Sequence, residues 1–424
     1  MTRPALDMGA PPSATRAADV GVMSLVAFAH GTSHFFHLVI PSLFPWLMAD
    51  FGLSFTGAGT LTTAFFVVSG IGQALAGFAV DRYGAQRVLA AGLSLLTLSA
   101  VTLSAAHGYP MLIAAALLAG AGNAVFHPAD YTVLNRRVSR PRLGHAFSAH
   151  GIAGNIGWGV APVLMAGIAS VAGWRTAALS AAALGLLALA CVILLRERFT
   201  VPAFDQSSAG GETDARASPF AFLRVRAVWM CFSFFLASTI GLSALQNFAP
   251  SVLNHVYGLP LTAAASALTL YLLGGAAGIA AGGVLATRYE AHEKVVAVML
   301  MTAALMAVVL ATGSVPARGV TPLMALFGFC AGTATPSRDL LVRKAAMERF
   351  GQQSFGRIYG FVYSGLDAGL SLAPVLFGVL LDRGLFPAVL YGVAVFQAIA
   401  VIAALRVGKP RIETSTRVVS QAAP

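Results

Sequence analysis

Ionisable side chains recur in this sequence at points where everything around them is apolar. The densest group is His30-Gly31-Thr32-Ser33-His34-Phe35-Phe36-His37, whose spacings of four and three put all three imidazoles on one face of a helix. His127 follows within Phe126-His127-Pro128, Asp130 stands a little further on, and His150 opens a later apolar run. The second half offers Gln246 and Asn247, then Arg338-Asp339, and finally Tyr359, Tyr363 and Asp367.

Three chemistries fit these residues. Imidazole changes charge near neutral pH, so the histidines with Asp130 or Asp367 can bind and release protons. In that reading Arg338, always charged and forked, faces an anionic solute such as a carboxylate or phosphonate. Alternatively, imidazoles one turn apart at His30, His34 and His37 suit a transition-metal path. No Cys or Met cluster and no His-rich loop accompanies them, and Cys191, Cys231 and Cys330 stand singly, without ligand or disulfide spacing. In the third reading the same residues are hydrogen-bonded links between helices. Arg338 then pairs with Asp339 or Asp130, and those two acids close a gate against Arg136, Arg137 or Arg343. An ionisable group at bilayer depth is costly, which makes function the default.

What must position these groups is a membrane. Only 10% of the residues are charged and 57% are apolar, with a mean hydropathy of +0.78, whereas soluble domains carry roughly 25% charged residues. A spanning helix needs ~20 apolar residues. Twelve such runs can be placed, at 21–47, 58–80, 88–106, 110–134, 146–171, 176–195, 227–250, 262–287, 295–312, 320–342, 355–381 and 386–406. No cleavable signal peptide is evident, because residues 1–19 are polar and the first apolar run is too long.

The net charge of +11 raises the question of nucleic acid, and its distribution answers it. With the N-terminus inside, one set of loops collects Arg82, Arg87, Arg136, Arg137, Arg140, Arg142, Arg196, Arg198, Arg224, Arg226, Arg288, Lys294, Arg343, Lys344, Arg349, Arg406, Lys409 and Arg411. Only Arg175, Arg318 and Arg383 fall on the other side. That asymmetry predicts both termini in the cytoplasm and makes the basicity a matter of topology.

The apolar pattern breaks at Pro202, Ser207-Ser208, Gly210-Gly211 and Glu212, which read as a flexible cytoplasmic linker. The chain thus divides into a tail over 1–20, a six-helix bundle over 21–195, the linker over 196–226, a second bundle over 227–407 and a tail over 408–424. The bundles repeat each other. Asp81-Arg82-Tyr83 matches Thr287-Arg288-Tyr289, Gly122 and Pro128 match Gly332 and Pro336, and Gly144 with Ala161-Pro162-Val163-Leu164 matches Gly356 with Ala373-Pro374-Val375-Leu376. Pro162 and Pro374, each preceded by glycines, are expected to bend the fifth and eleventh helices where the bundles meet. Two parallel repeats around one central path suit rocking about a midplane site. No Ser/His/Asp or Cys/His constellation is legible and no soluble domain is present, which argues against a membrane enzyme or a sensor.

The stretch Gly77-Phe78-Ala79-Val80-Asp81-Arg82-Tyr83-Gly84-Ala85-Gln86-Arg87 joins the second and third runs. Its Gly-x3-Asp-Arg-x-Gly-x2-Arg pattern resembles the loop between helices 2 and 3 in the major facilitator superfamily of transporters. The resemblance implies an all-α integral membrane protein with the major facilitator fold, twelve transmembrane helices in two six-helix pseudo-repeats. It also implies a cytoplasmic gate built from Gly77, Asp81, Arg82, Gly84 and Arg87, in which the carboxylate braces a helix of the other bundle. Thr287 replaces that acid in the second copy.

Within the superfamily, Ala29-His30-Gly31-x2-His34, Pro41-x3-Pro45, Phe51-Gly52-Leu53-Ser54, Gln73 and Phe126-His127-Pro128 resemble the fosmidomycin-resistance type. Two positions differ: Ala74 stands where such relatives tend to have proline, and Ala129 separates the His-Pro pair from Asp130. Relatives of that type export small anionic drugs by proton antiport. The expectation is therefore a monomeric secondary transporter in the bacterial inner membrane, not an enzyme, with no cofactor or resident metal. The proton gradient is expected to drive it, and a small anionic molecule is its expected substrate. Transport of a transition metal or metal chelate along the helix-1 histidine face is the alternative.

Overall fold

The computed structural model describes residues 16–199, 226–350 and 355–407, and every element among them is helical. The first part comprises α1 (Arg16–His37), α2 (Val39–Ser42), α3 (Phe44–Phe51), α4 (Phe55–Tyr83), α5 (Ala85–Ser104), α6 (Tyr109–Asn123), α7 (Phe126–Arg137), α8 (Leu143–Ala172), α9 (Trp174–Leu194) and the short α10 (Arg196–Phe199). The second comprises α11 (Arg226–Tyr257), α12 (Leu261–Arg288), α13 (His292–Ala311), α14 (Ala317–Phe350), α15 (Phe355–Asp382) and α16 (Phe386–Val407). Most of the expected linker lies outside the described residues.

Among the described residues, ten helices are long and apolar enough to cross a membrane. The segments expected as the first and tenth spans are not among them, and both carry the polar groups singled out above. The first is also interrupted. Expected as one run over 21–47, it forms α1, α2 and α3, because Pro41 has no N–H to give the carbonyl of His37. The fourth breaks between α6 and α7 for the same reason: Pro128 has no N–H for the carbonyl of Ala124. Both interruptions fall beside histidines, so they set where the imidazoles point.

The two parts meet along α4 with α15 and α8 with α12. Close backbone approach makes the first pairing possible: a Cβ on Gly59 would overlap the carbonyl of Pro374, and one on Gly378 would lie 2.8 Å from the Cα of Thr56. Thr63 Oγ1 donates to the carbonyl oxygen of Ser371 at 2.6 Å. One apolar core runs through the first part and crosses into the second at the end of the molecule that holds Phe44, Phe248 and Phe377. A smaller core, with Phe235, Val296 and Val401, belongs to the second part alone.

At the crossing end α4 starts against the last residue of α15. Asp382 accepts the backbone N–H of Phe55 through Oδ1 at 2.5 Å and that of Thr56 through Oδ2 at 3.0 Å. These are orphan donors of a helix N-terminus, satisfied here by a carboxylate from the other half of the protein. The Phe55 ring stands edge-on to Phe248 and Phe386. At the opposite, basic end α4 is different. Ile71, Leu75 and Phe78 are exposed, and so is Asp81. The side chains at the start of α15 that could brace Asp81 lie outside the described residues.

A capping carboxylate is worth about 1 kcal/mol, which is roughly a fivefold shift between two conformations. Asp382→Ala is therefore expected to shift the population toward a state open at the Phe55 end. Distances between spin labels at Leu53→Cys and Arg383→Cys in a cysteine-free background read this out. An unchanged distance distribution would deny Asp382 that role.

Candidate functional site

The first-helix histidines reach one another's neighbours from three other helices. Gly31 and Gly157 let α1 and α8 approach until a methyl on Gly157 would overlap the carbonyl of Gly31. The break after α6 turns α7 so that Asp130 points inward and is fully buried. Its Oδ2 accepts from two rings, His30 Nδ1 on α1 at 3.0 Å and His150 Nε2 on α8 at 3.2 Å. Its Oδ1 has no hydrogen-bond partner among the described residues. The rings of His30 and His150 stack with centroids 3.5 Å apart and planes 24° from parallel. Asp130 is thus engaged by histidines; Arg137 reaches instead to the carbonyl of Glu197.

A second chain of bonds runs outward from His37. The indole N–H of Trp158 donates to His37 Nδ1 at 3.1 Å. Because indole can only donate, Nδ1 must be an acceptor, and the proton of this ring sits on Nε2. His37 Nε2–H then donates to Asn123 Oδ1 at 2.8 Å, and Asn123 Nδ2 donates to Ser69 Oγ at 2.8 Å. His37 is held neutral in one tautomer by α8, α6 and α4 together. His127 Nδ1–H donates to Gln73 Oε1 at 3.0 Å. His34, whose ring nitrogens are buried, stacks on Trp158 at 4.5 Å, and neither nitrogen has a hydrogen-bond partner among the described residues.

On the other side of Trp158 lies a cavity of about 280 Å³ between α8 and the second part of the chain. Asn155 and Trp158 form its α8 wall, and Thr239, Tyr271, Thr335, Arg338 and Gln397 are among the residues facing them. Arg338 is the only charged side chain among the described lining residues. Its guanidinium carbon lies 4.5 Å from the Phe235 ring centroid, a cation–π contact that orients the fork. The histidines themselves do not line this space, so Arg338 and the histidine face lie on opposite sides of one indole ring.

The remaining expected residues scatter around this centre. Gln246 and Asn247 are buried in α11. Asn247 Nδ2 donates back to the carbonyl of Ser243 at 2.8 Å, while Gln246 Nε2 and Asn247 Oδ1 have no partner. Asp367 on α15 packs against Gly70 of α4. Pro162 and Pro374 lie inside α8 and α15, as expected. The side chains of Asp339, Tyr359 and Tyr363 lie outside the described residues. Of the gate residues, Gly84 carries the positive φ that the turn requires, 85°, and Arg82 stacks over Tyr83. The sequence reading missed Trp158, Asn123 and Ser69 as site residues. None has a spacing signal, because each meets His37 only through the packing of separate helices.

A multi-helical membrane protein whose two parts enclose a largely apolar cavity holding one arginine, with a buried acid–imidazole cluster beside it, defines the class. The chain belongs to the Major Facilitator Superfamily, whose family model matches residues 23–354. It is 30% identical to the fosmidomycin resistance protein of Escherichia coli (strain K12), over 37% of this chain and 39% of that protein. It is 26% identical to YfnC, an uncharacterized MFS-type transporter of Bacillus subtilis (strain 168), over 72% of this chain and 75% of that one. A probable L-galactonate transporter of Escherichia coli (strain K12) is 28% identical over 55% of this chain and 54% of its own length. The chain therefore spans well under half of the first of these relatives and about half of the third. Among solved structures, it superposes on a mutant of the nucleoside transporter NupG with a TM-score of 0.74 at 13% identity, covering 92% of this chain and all of that one. A bacterial homologue of the human lysosomal transporter Spinster, in an inward-facing and occupied conformation, gives 0.72 at 14% identity, covering 93% and 97%. The chain is therefore a multi-pass membrane protein with the fold and family membership of a transporter.

The bonds that lock His37 predict a coupled loss. Trp158→Phe and Asn123→Ala should each lower the apparent unfolding temperature in detergent, since each leaves a buried partner unsatisfied. The double variant should lower it by less than the sum, because both open the same chain of bonds. Strict additivity in thermal unfolding would separate the two residues.

Proposed function

We propose that this protein is a proton-coupled secondary transporter of a small organic anion, working by alternating access. In this reading it is a monomer with twelve spans in a bacterial inner membrane, both termini in the cytoplasm. The observation that carries the reading is adjacency: Trp158 lines the cavity bearing Arg338 and stacks on His34, whose ring lies 4.4 Å from that of His30 in the Asp130 cluster. An arginine in a largely apolar chamber selects for an anion, and its planar fork matches carboxylate or phosphonate oxygens. The name of one relative includes L-galactonate, a carboxylate, and another is a fosmidomycin resistance protein, which supports an anionic substrate class and efflux as one direction of movement.

The cluster supplies the proton step. Asp130 Oδ1 is the open oxygen of a carboxylate whose other oxygen already serves two rings. His30 and His150, stacked at 3.5 Å, donate to that same carboxylate oxygen from two different helices. A proton taken up on Asp130 or on one ring therefore rearranges the bonds joining α1, α7 and α8. Trp158, bonded to His37 and stacked on His34, carries that change to the cavity wall. With the Phe55 end closed by Asp382, the cavity would communicate with the basic, cytoplasmic end, and Asp81 with Arg82 and Arg87 would close that end in the alternate state.

Two variants separate binding from coupling. Arg338→Lys should weaken binding of the transported anion at least tenfold, because a point charge does not reproduce the fork, whereas Asp130→Asn should bind normally. Asp130→Asn should still exchange anion across a liposome membrane yet fail to accumulate it against a gradient when a pH difference is imposed. Unchanged affinity in Arg338→Lys would return that residue to a structural role, and undiminished proton-driven accumulation in Asp130→Asn would remove the carboxylate from the proton path.

A further inference from the structure

We infer that His30, His34 and His127 form a binding site for one divalent transition-metal ion inside the first bundle. This goes beyond the anion reading and does not rest on it, since the solute cavity lies on the far side of Trp158. One ring nitrogen from each of the three histidines lies within 4.8 Å of the other two. What distinguishes the group from a chance cluster is the state of the other nitrogens. A ligating imidazole usually gives its second N–H to an outer partner, which fixes the tautomer and leaves a lone pair facing the ion. His30 does this through Nδ1–H to Asp130 and His127 through Nδ1–H to Gln73, each at 3.0 Å. Neither ring has a second hydrogen bond among the described residues, so Nε2 is open on both. His37, with both nitrogens engaged, is excluded.

His34 is the independent observation. Both of its ring nitrogens are buried and neither is partnered among the described residues, a state that costs free energy unless something else satisfies it. Gly154 shows where that something fits: a methyl there would sit 2.7 Å from His34 Nδ1 and 3.2 Å from His30 Nε2. The glycine keeps open the space between those two nitrogens. Three neutral imidazoles with a fourth position free suit Zn²⁺, Co²⁺ or Cu²⁺, whereas Mg²⁺ and Ca²⁺ need oxygen ligands. Zn–N bonds of ~2.0–2.1 Å put tetrahedral ligand atoms about 3.3 Å apart, so binding draws the three rings together by an ångström or so. The carboxylate behind His30 strengthens that ring as a donor.

The test is metal occupancy, read without transport. Full-length protein lacking affinity-tag histidines, in detergent micelles, is titrated with Co²⁺ alone and followed by its visible d–d bands. We expect saturation at one Co²⁺ per chain, displacement by Zn²⁺ and none by Mg²⁺. Affinity should fall at least tenfold in His34→Ala and in Gly154→Ala, the latter retaining all three ligands and losing only the space. His255→Ala, an exposed ring stacked on Phe386, should bind as wild type. Absence of saturable Co²⁺ binding, or equal affinity in wild type and both site variants, overturns the inference and leaves the anion reading untouched. Conversely, failure of anion transport would leave a measured metal site standing.

Discussion

Everything in the first bundle has to accommodate one fact: the Asp130 carboxylate is buried at membrane depth. A lone carboxylate there is untenable, and this one survives because rings from two other helices donate to the same oxygen. That requirement fixes α7 against α1 and α8, and it explains the glycines at the contact. Gly31 and Gly157 bring the backbones close enough for His30 and His150 to reach one carboxylate oxygen. The polar cluster thereby sets the helix packing, the reverse of a core in which packing is apolar and polar groups are accommodated afterwards.

The second consequence is a division of labour across a single side chain. Trp158 presents one side to the cavity with Arg338 and bonds through its indole N–H to His37 on the other. In the proposed mechanism, a solute that presses on the indole and a proton that changes the cluster would bias the same ring. That would be the physical content of the proposed coupling: two ligands acting on one shared element rather than on each other. The cross-bundle contacts add a directional asymmetry. A carboxylate from α15 caps α4 at one end, while the acid of the Asp81 loop at the other end stands exposed.

Much of this is legible in the sequence. The spacing of His30, His34 and His37 gave their common face because helical periodicity is local. The repeat of Pro162 and Pro374 located the interface helices, and the pattern around Asp81 pointed to the family. What stayed hidden was long-range. Nothing in the sequence ties Trp158 to His37, Asn123 to Ser69, or Asp382 to Phe55, since each pair is brought together only by packing of distant segments. Pro41 and Pro128 were visible as residues, but their effect, splitting two expected helices beside the histidines, depends on which carbonyl loses its partner. Arg338 and the histidines were expected to line one path, and the indole that separates them could not be read from composition.

The central claim is that anion movement and proton movement are one event. It is tested most directly in sealed proteoliposomes that enclose a pH-sensitive dye, with small carboxylates, phosphonates, cationic drugs and Zn²⁺ added singly. The account predicts a protein-dependent pH change evoked by one or more anions, with no membrane potential imposed, and none evoked by the cations. A pH change evoked only by cationic drugs or by Zn²⁺, or anion uptake with no accompanying proton movement, would contradict it.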